Sequence, residues 1–277
     1  MYVAEAPHVS PPSSLLPRQL TESLLAVLLP ASCLLCAGEL AGSLTGGICG
    51  PCWRTLDPWA GAVCPRCGLP LATTLCLTDS LCGECRVERP HFDHARSYGI
   101  YAGKLRRAVL ELKFHRREWL GVRLGRLLAK PWLALQTALS LQEPWLILPV
   151  PLHPSRKRER GYNQAELLAR GLQRALRECS SPAGFRVDAR SLARKRSTAP
   201  QSGLSVQARR ENVHGVFTVT TPRRVRNRDV ILVDDVMTTG ATASACAAEL
   251  KRAGVRRVVV LALARATPQF PDIAARQ

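Results

Sequence analysis

No stretch of the 277-residue chain approaches the roughly 18 consecutive apolar residues that a membrane-spanning helix requires, so an integral helical membrane protein is excluded. The opening Met-Tyr-Val-Ala-Glu lacks a basic n-region, and the Leu-rich stretch after Arg18 lacks a small-residue cleavage pattern, so no secretory signal is expected. Neither GxxxxGK[ST] nor GxGxxG occurs, which disfavours a P-loop ATPase and a Rossmann dinucleotide site. Acidic residues are scarce, 21 against 39 basic, and the imbalance is local. Residues 1–90 hold 5 basic and 7 acidic side chains, whereas residues 91–277 hold 34 and 14. A negatively charged partner is therefore expected for the C-terminal part; nucleic acid and a small polyphosphate fit that field equally well.

What is present is ordinary in bulk. Apolar residues make up 46% and charged residues 22%, as in a globular protein, and the length suits one sizeable core plus a smaller module. Cysteine is unevenly spread. Nine of the eleven lie between Cys33 and Cys85, and eight of these form four CxxC pairs: Cys33/Cys36, Cys49/Cys52, Cys64/Cys67 and Cys82/Cys85. In a reducing, cytoplasmic compartment, which is the location expected here, paired CxxC spacings point to metal. Four-thiolate zinc takes two pairs per ion, so these eight ligands allow one or two structural Zn²⁺; spacing does not say which pairs share one. Cys76 has no partner at ligand spacing, and Cys179 and Cys246 fall on helical patterns expected to pack in a core.

Along the chain, residues 1–29 form a leader, Pro/Ser-rich to residue 17 and helical over 18–29. Residues 30–90 form a cysteine-rich module too poor in periodic apolar residues to fold without metal. In residues 91–277 helical periodicity runs over 104–130 and stops at Pro131, a buried strand is predicted at 145–150, and a helix follows over 161–178. Residues 194–214 lack an apolar period and read as a loop that is either functional or disordered. Residues 216–219 resume regular structure, and strand, helix and strand are then expected at 229–233, 240–253 and 255–263. Both of these last strands are apolar without alternation, as in a parallel sheet covered on two faces, which gives an α/β fold.

The sharpest signal is Val-Ile-Leu-Val-Asp-Asp-Val-Met-Thr-Thr-Gly-Ala-Thr, residues 230–242. A helix that opens at Gly240 presents backbone N–H groups and a positive dipole end to a phosphate, and the hydroxyls of Thr238, Thr239 and Thr242 add donors beside Ala241. Asp234 and Asp235 can accept hydrogen bonds from the hydroxyls of a ribose whose 5′-phosphate sits in the turn. The plainer alternative is a solvated turn in which Thr238 or Thr239 caps the helix.

This segment resembles the PRPP-binding motif of type I phosphoribosyltransferases. Residues 148–165 (LPVPLHPSRKRERGYNQA) are similar to the PVPLxxxRxxxRGxNQ stretch of the ComF family of competence-associated proteins. Further ComF-like features are the string of CxxC pairs, Leu112-Lys113-Phe114, and the TxxQxxLxxxxRxxN pattern over Thr198–Asn212. The resemblance implies a type I phosphoribosyltransferase-like parallel sheet flanked by helices and preceded by a small zinc-ribbon-like module. It also implies PRPP or a related sugar phosphate as ligand, with Mg²⁺. Arg156 and Arg160 would lie on the pyrophosphate, Lys113 and Arg209 would be weaker ligands, and the 194–212 loop would be a lid. The activity so implied is transfer of phosphoribosyl to a nitrogen acceptor. The alternative is an accessory of DNA uptake that binds single-stranded DNA or nucleotides without turnover, together with proteins of the uptake machinery.

Overall fold

The computed structural model describes residues 31–40, 47–71, 81–142, 144–179, 184–196 and 215–267. The predicted 18–29 helix, Cys76, and all but the first residues of the 194–214 loop, Arg209 included, lie outside them. The chain divides into two compact units, Met1–Thr55 and Leu56–Gln277. This boundary cuts the expected 30–90 module between its second and third CxxC pairs. The reason is burial: Cys64, Cys67, Cys82 and Cys85 belong to the apolar core of the larger unit, with Phe92, Ala95, Ala241 and Val258.

In the smaller unit, β1 (Ala31–Ser32) and β2 (Glu39–Leu40) pair antiparallel and the short helix α1 (Gly50–Arg54) follows. Cys49 caps α1 by accepting from the Cys52 N–H.

The larger unit opens with the short helix α2 (Gly83–Val87), then β3 (His94–Ile100) and three helices, α3 (Gly103–Phe114), α4 (Glu118–Leu127) and α5 (Ala129–Ala138). There follow β4 (Trp145–Pro149), α6 (Pro154–Arg160), α7 (Gln164–Cys179), β5 (Phe185–Val187), β6 (Leu192–Arg194) and β7 (Phe217–Val219). The chain continues through α8 (Pro222–Val225), β8 (Asp229–Met237), α9 (Ala241–Arg252) and β9 (Arg257–Arg265). Five strands form one parallel sheet in the order β3-β9-β8-β4-β5, while β6 and β7 make a separate antiparallel pair. The expected parallel α/β sheet is therefore present, and its centre is the least polar part of the chain. Val230 to Val233 and Val258 to Ala264 are fully buried, which is why neither strand alternates.

The helices lie close. A Cβ on Gly171 would come within 2.1 Å of the Val122 carbonyl oxygen, so α4 and α7 touch backbone to backbone where only glycine fits.

Several boundaries differ from expectation. Strand β3 was not predicted, because His-Ala-Arg-Ser-Tyr-Gly-Ile carries no apolar run; it pairs along β9 through its backbone. Pro131 does not end the helical region. It sits in the first turn of α5, where the missing N–H has no partner to lose. The break falls earlier, at Arg116, whose φ is +50°. Residues 154–160, between the predicted strand and helix, form α6, with Pro154 in the first turn, His153 accepting from the Ser155 N–H, and Gly161 in the left-handed region at the C-terminus. Cys246 is buried as expected, but Cys179, the last residue of α7, is exposed.

Candidate phosphate site and metal centres

Strand β8 runs four residues further than its apolar pattern suggested and carries both acids within it. Successive strand side chains alternate faces, so Asp234 and Asp235 leave opposite sides of the sheet at its carboxyl end. Asp235 is buried on the face covered by α3 and α7, where its carboxylate pairs with Lys113 Nζ at 3.0 Å and accepts from Gln164 Nε2 at 2.8 Å. Asp234 lies towards Arg194 and Cys246 and accepts from the Asp235 N–H at 2.8 Å. Burial, with the neighbouring Asp235 carboxylate, pushes Asp234 up to about 7, against the opposing pull of Lys113 and Arg194.

Beyond the acids the chain turns through Gly240, whose φ of +80° favours glycine; a Cβ there would also meet Met237 Cε at 2.7 Å. Helix α9 then begins, and the Ser244 N–H donates to the Gly240 carbonyl at 2.8 Å. Thr239 takes the capping role: its Oγ1 accepts from the Ala241 N–H at 3.3 Å. The turn, both acids and the start of α6 enclose a cavity of about 390 Å³ lined by Thr238, Gly240, Ala241 and Thr242, but not by Thr239.

The cations of this cavity are Lys113, Arg156, Arg160 and Arg194. Arg156 and Arg160 stand four residues apart on α6, hence on one face, which separates them from Lys157 and Arg158 of the same basic run. Arg160 also stacks over the exposed Phe114 ring, 5.7 Å from its centroid. Burial and the nearby Arg156 lower the Arg194 pKa, with Cys246 and Asp234 opposing.

Arg194, Asn163 and Gln164 escaped role assignment from sequence. Asn163 accepts from the Ala165 N–H at the start of α7 and donates to the Val150 carbonyl at 3.0 Å, tying α7 to the end of β4. Gln164 is 6% exposed, lines the cavity, and its Oε1 has no partner among the described residues. A buried carbonyl oxygen left unpaired beside a cavity is a ready acceptor for a ligand donor. In the sequence Asn163 and Gln164 stood as the closing pair of the ComF-like stretch, at the head of an apolar helix face, with no role attached.

The cysteines resolve what spacing left open: neighbouring pairs share a centre. Cys33, Cys36, Cys49 and Cys52 form one group and Cys64, Cys67, Cys82 and Cys85 the other, with the Sγ atoms of each within 4.8 Å of one another. Tetrahedral zinc with Zn–S of about 2.3 Å has sulfur–sulfur edges of about 3.8 Å. Cys36 to Cys49 spans 3.9 Å and Cys67 to Cys82 spans 3.6 Å. Backbone N–H groups also point at the sulfurs: Leu35 and Cys49 at Cys33, Cys52 at Cys49, and Cys82 at Cys64, each at 3.4 Å. Both groups fit one structural Zn²⁺ apiece. Among the described residues no carboxylate cluster offers a comparable seat for Mg²⁺; Asp235 is held by Lys113 and Gln164, and Asp234 is driven towards its neutral form.

A parallel sheet covered by helices, with a glycine turn and two acids at the carboxyl end of its central strand, defines a type I phosphoribosyltransferase-like α/β protein with zinc-ribbon cysteines ahead of it. Residues 24–86 match the double zinc ribbon domain. The chain is 36% identical over 237 residues to the DNA utilization protein YhgH of Salmonella typhimurium, covering 85% of this chain and 97% of that one. It is 33% identical over 235 residues to Competence protein F of Haemophilus influenzae, covering 84% and 96%. Among solved structures, a hypoxanthine phosphoribosyltransferase from Staphylococcus aureus is similar at 15% identity and a TM-score of 0.33, over 53% of this chain and 66% of that one. The chain belongs to the ComF family, with YhgH and Competence protein F.

No helix among the described residues is long and apolar enough to cross a membrane.

Proposed function

We propose that the cavity at the carboxyl end of β8 binds the 5-phosphoribosyl group of PRPP and that the protein transfers it to a nitrogen acceptor with release of pyrophosphate. One observation carries this reading: a single cavity joins the Gly240 turn, both acids and the basic side chains of Lys113, Arg156, Arg160 and Arg194. The 5-phosphate would take the amides and hydroxyls of Thr238, Gly240, Ala241 and Thr242 at the start of α9. The ribose hydroxyls would donate to Asp234, Asp235 and the unpaired Gln164 Oε1. Arg156 and Arg160 would meet the departing pyrophosphate and stabilise the charge that develops on it.

The reaction is a displacement at the anomeric carbon: the acceptor nitrogen forms the new C–N bond as the C–O bond to pyrophosphate breaks. No covalent enzyme intermediate is needed. The residues hold the reactants in line and keep water from the cation-like sugar. Mg²⁺ would arrive on the pyrophosphate. Calorimetry with PRPP tests the reading. One site is expected in the wild type, with affinity lost by at least a hundredfold in Asp234→Ala; the absence of binding heat in the wild type would end it.

A second reading has its own support. The relatives' names tie them to DNA utilization and competence, and the net charge of residues 91–277 is strongly positive. On that reading the cavity holds a nucleotide or strand end without turnover. Single-stranded DNA would then bind with an affinity that falls steeply with salt and does not depend on Asp234.

A further inference from the structure

The second cysteine group is almost wholly shut off from solvent. Cys64 is 0%, Cys85 2%, Cys67 6% and Cys82 6% exposed. Four thiolates around Zn²⁺ leave a net charge of −2, and burying an uncompensated charge costs several kcal/mol per ion. Something positive must face it. Two arginines occupy that place. Arg265, at the end of β9, is 2% exposed and donates from Nη1 to the Cys67 carbonyl at 3.2 Å. Arg96, in the middle of β3, donates from Nη1 to the Pro65 carbonyl at 3.0 Å and to the Ala95 carbonyl at 2.8 Å. Both therefore bond the backbone of the Cys64–Cys67 turn or the strand beside it.

Neither guanidinium forms an ion pair with a carboxylate among the described residues, and Arg265 Nε is buried without a partner. Each lies within electrostatic reach of the sulfurs, Arg96 of Cys64 and Cys67, and Arg265 of Cys67, Cys82 and Cys85. Glu84 is the acid that also faces Arg265.

We infer that Arg96 and Arg265 are the counter-cations of the second zinc centre: the half-buried Arg96 and the buried Arg265 set two positive charges against the two negative charges of its tetrathiolate and hold the metal in the core of the α/β unit. Removing either leaves the dianion under-compensated and the ion less firmly held. Outer-shell partners of metal ligands characteristically change affinity by about 10- to 100-fold. The inference is independent of PRPP binding. Arg265 nonetheless sits opposite Met237 in the β8–β9 register, and the Ala266 N–H donates to the Met237 carbonyl at 3.0 Å, so its backbone is tied to the strand end that leads into the Gly240 turn.

The test is zinc release from the full-length holoprotein to a chromogenic chelator, which in the wild type removes two equivalents. In Arg265→Gln and in Arg96→Gln, one equivalent should leave at least tenfold faster while the other keeps its wild-type rate. Arg265→Lys, which keeps the charge, should recover most of the protection. If Arg265→Gln does not fold, Arg96→Gln decides the matter with the same two outcomes. Wild-type release of both equivalents in the Gln variants, or an Arg265→Lys as labile as Arg265→Gln, would overturn the inference.

Discussion

The two cysteine groups share a spacing and differ in setting. In the first, Cys36 is exposed and Cys49 half-buried, and among the described residues the surrounding secondary structure is β1, β2 and α1. In the second, all four cysteines are buried in the same core as the parallel sheet. Water can solvate the charge of the first centre, whereas the second needs protein cations. A repeated CxxC motif thus specifies a metal and says nothing about what the metal supports. At the first centre zinc stabilises a small unit; at the second it substitutes for apolar core in a large one.

The largest test of that contrast removes one ligand from each centre. Cys64→Ser should cost one zinc and with it the cooperative thermal transition and near-UV signal of the α/β unit, since structural zinc contributes about 10–16 kcal/mol of apparent binding free energy. Cys36→Ser should cost one zinc and leave that transition in place. Equal damage from both, seen by calorimetry and metal analysis, would erase the distinction.

Substitutions at the candidate site should spare the first centre. Lys113→Ala leaves the Asp235 carboxylate buried with Gln164 alone, and because Lys113 is 20% exposed the cost should be about 3 kcal/mol in urea unfolding. Gly240→Ala forces a side chain onto a φ of +80° and against Met237, so about 2 kcal/mol should be lost along with ribose 5-phosphate binding. The zinc stoichiometry of both variants should stay at two.

The smallest effect is a pH dependence. Asp234 titrates at about 7 in the folded chain, above the unfolded value near 4, so the native state holds the extra proton between those limits. Its contribution to stability is complete below about pH 4 and is lost as pH rises through 7. Asp234→Asn removes that loss and should therefore gain on the wild type by about 1 kcal/mol at pH 8, with the difference shrinking as the pH falls towards 5. A wild-type advantage at pH 8 would show that the carboxylate is stabilised in its charged form.

How much of this was legible in the sequence follows from how far each signal is local. The metal ligands and the β8–turn–α9 segment declare themselves in consecutive residues, and apolar runs without alternation betray a doubly covered sheet. Strand β3 does not, because its place depends on pairing with β9 some 160 residues away, a register that no local pattern encodes. The same holds for Arg194 and for the Lys113–Asp235–Gln164 contact, each assembled from separate elements. Arg156 and Arg160 stood out from their basic neighbours through the ComF-like stretch, and the helical form of α6 adds the physical reason: four residues apart, they share one face. Arg265 reads as one more cation in a basic chain until its burial beside the thiolates is seen.

The most direct measurement of the central claim is a crystal soaked with ribose 5-phosphate. Phosphate density against the amides of Gly240 and Ala241, with the sugar hydroxyls turned to Asp234 and Asp235, is the expected result. A turn that stays empty at saturating ligand, or a sugar phosphate lodged elsewhere, would contradict it.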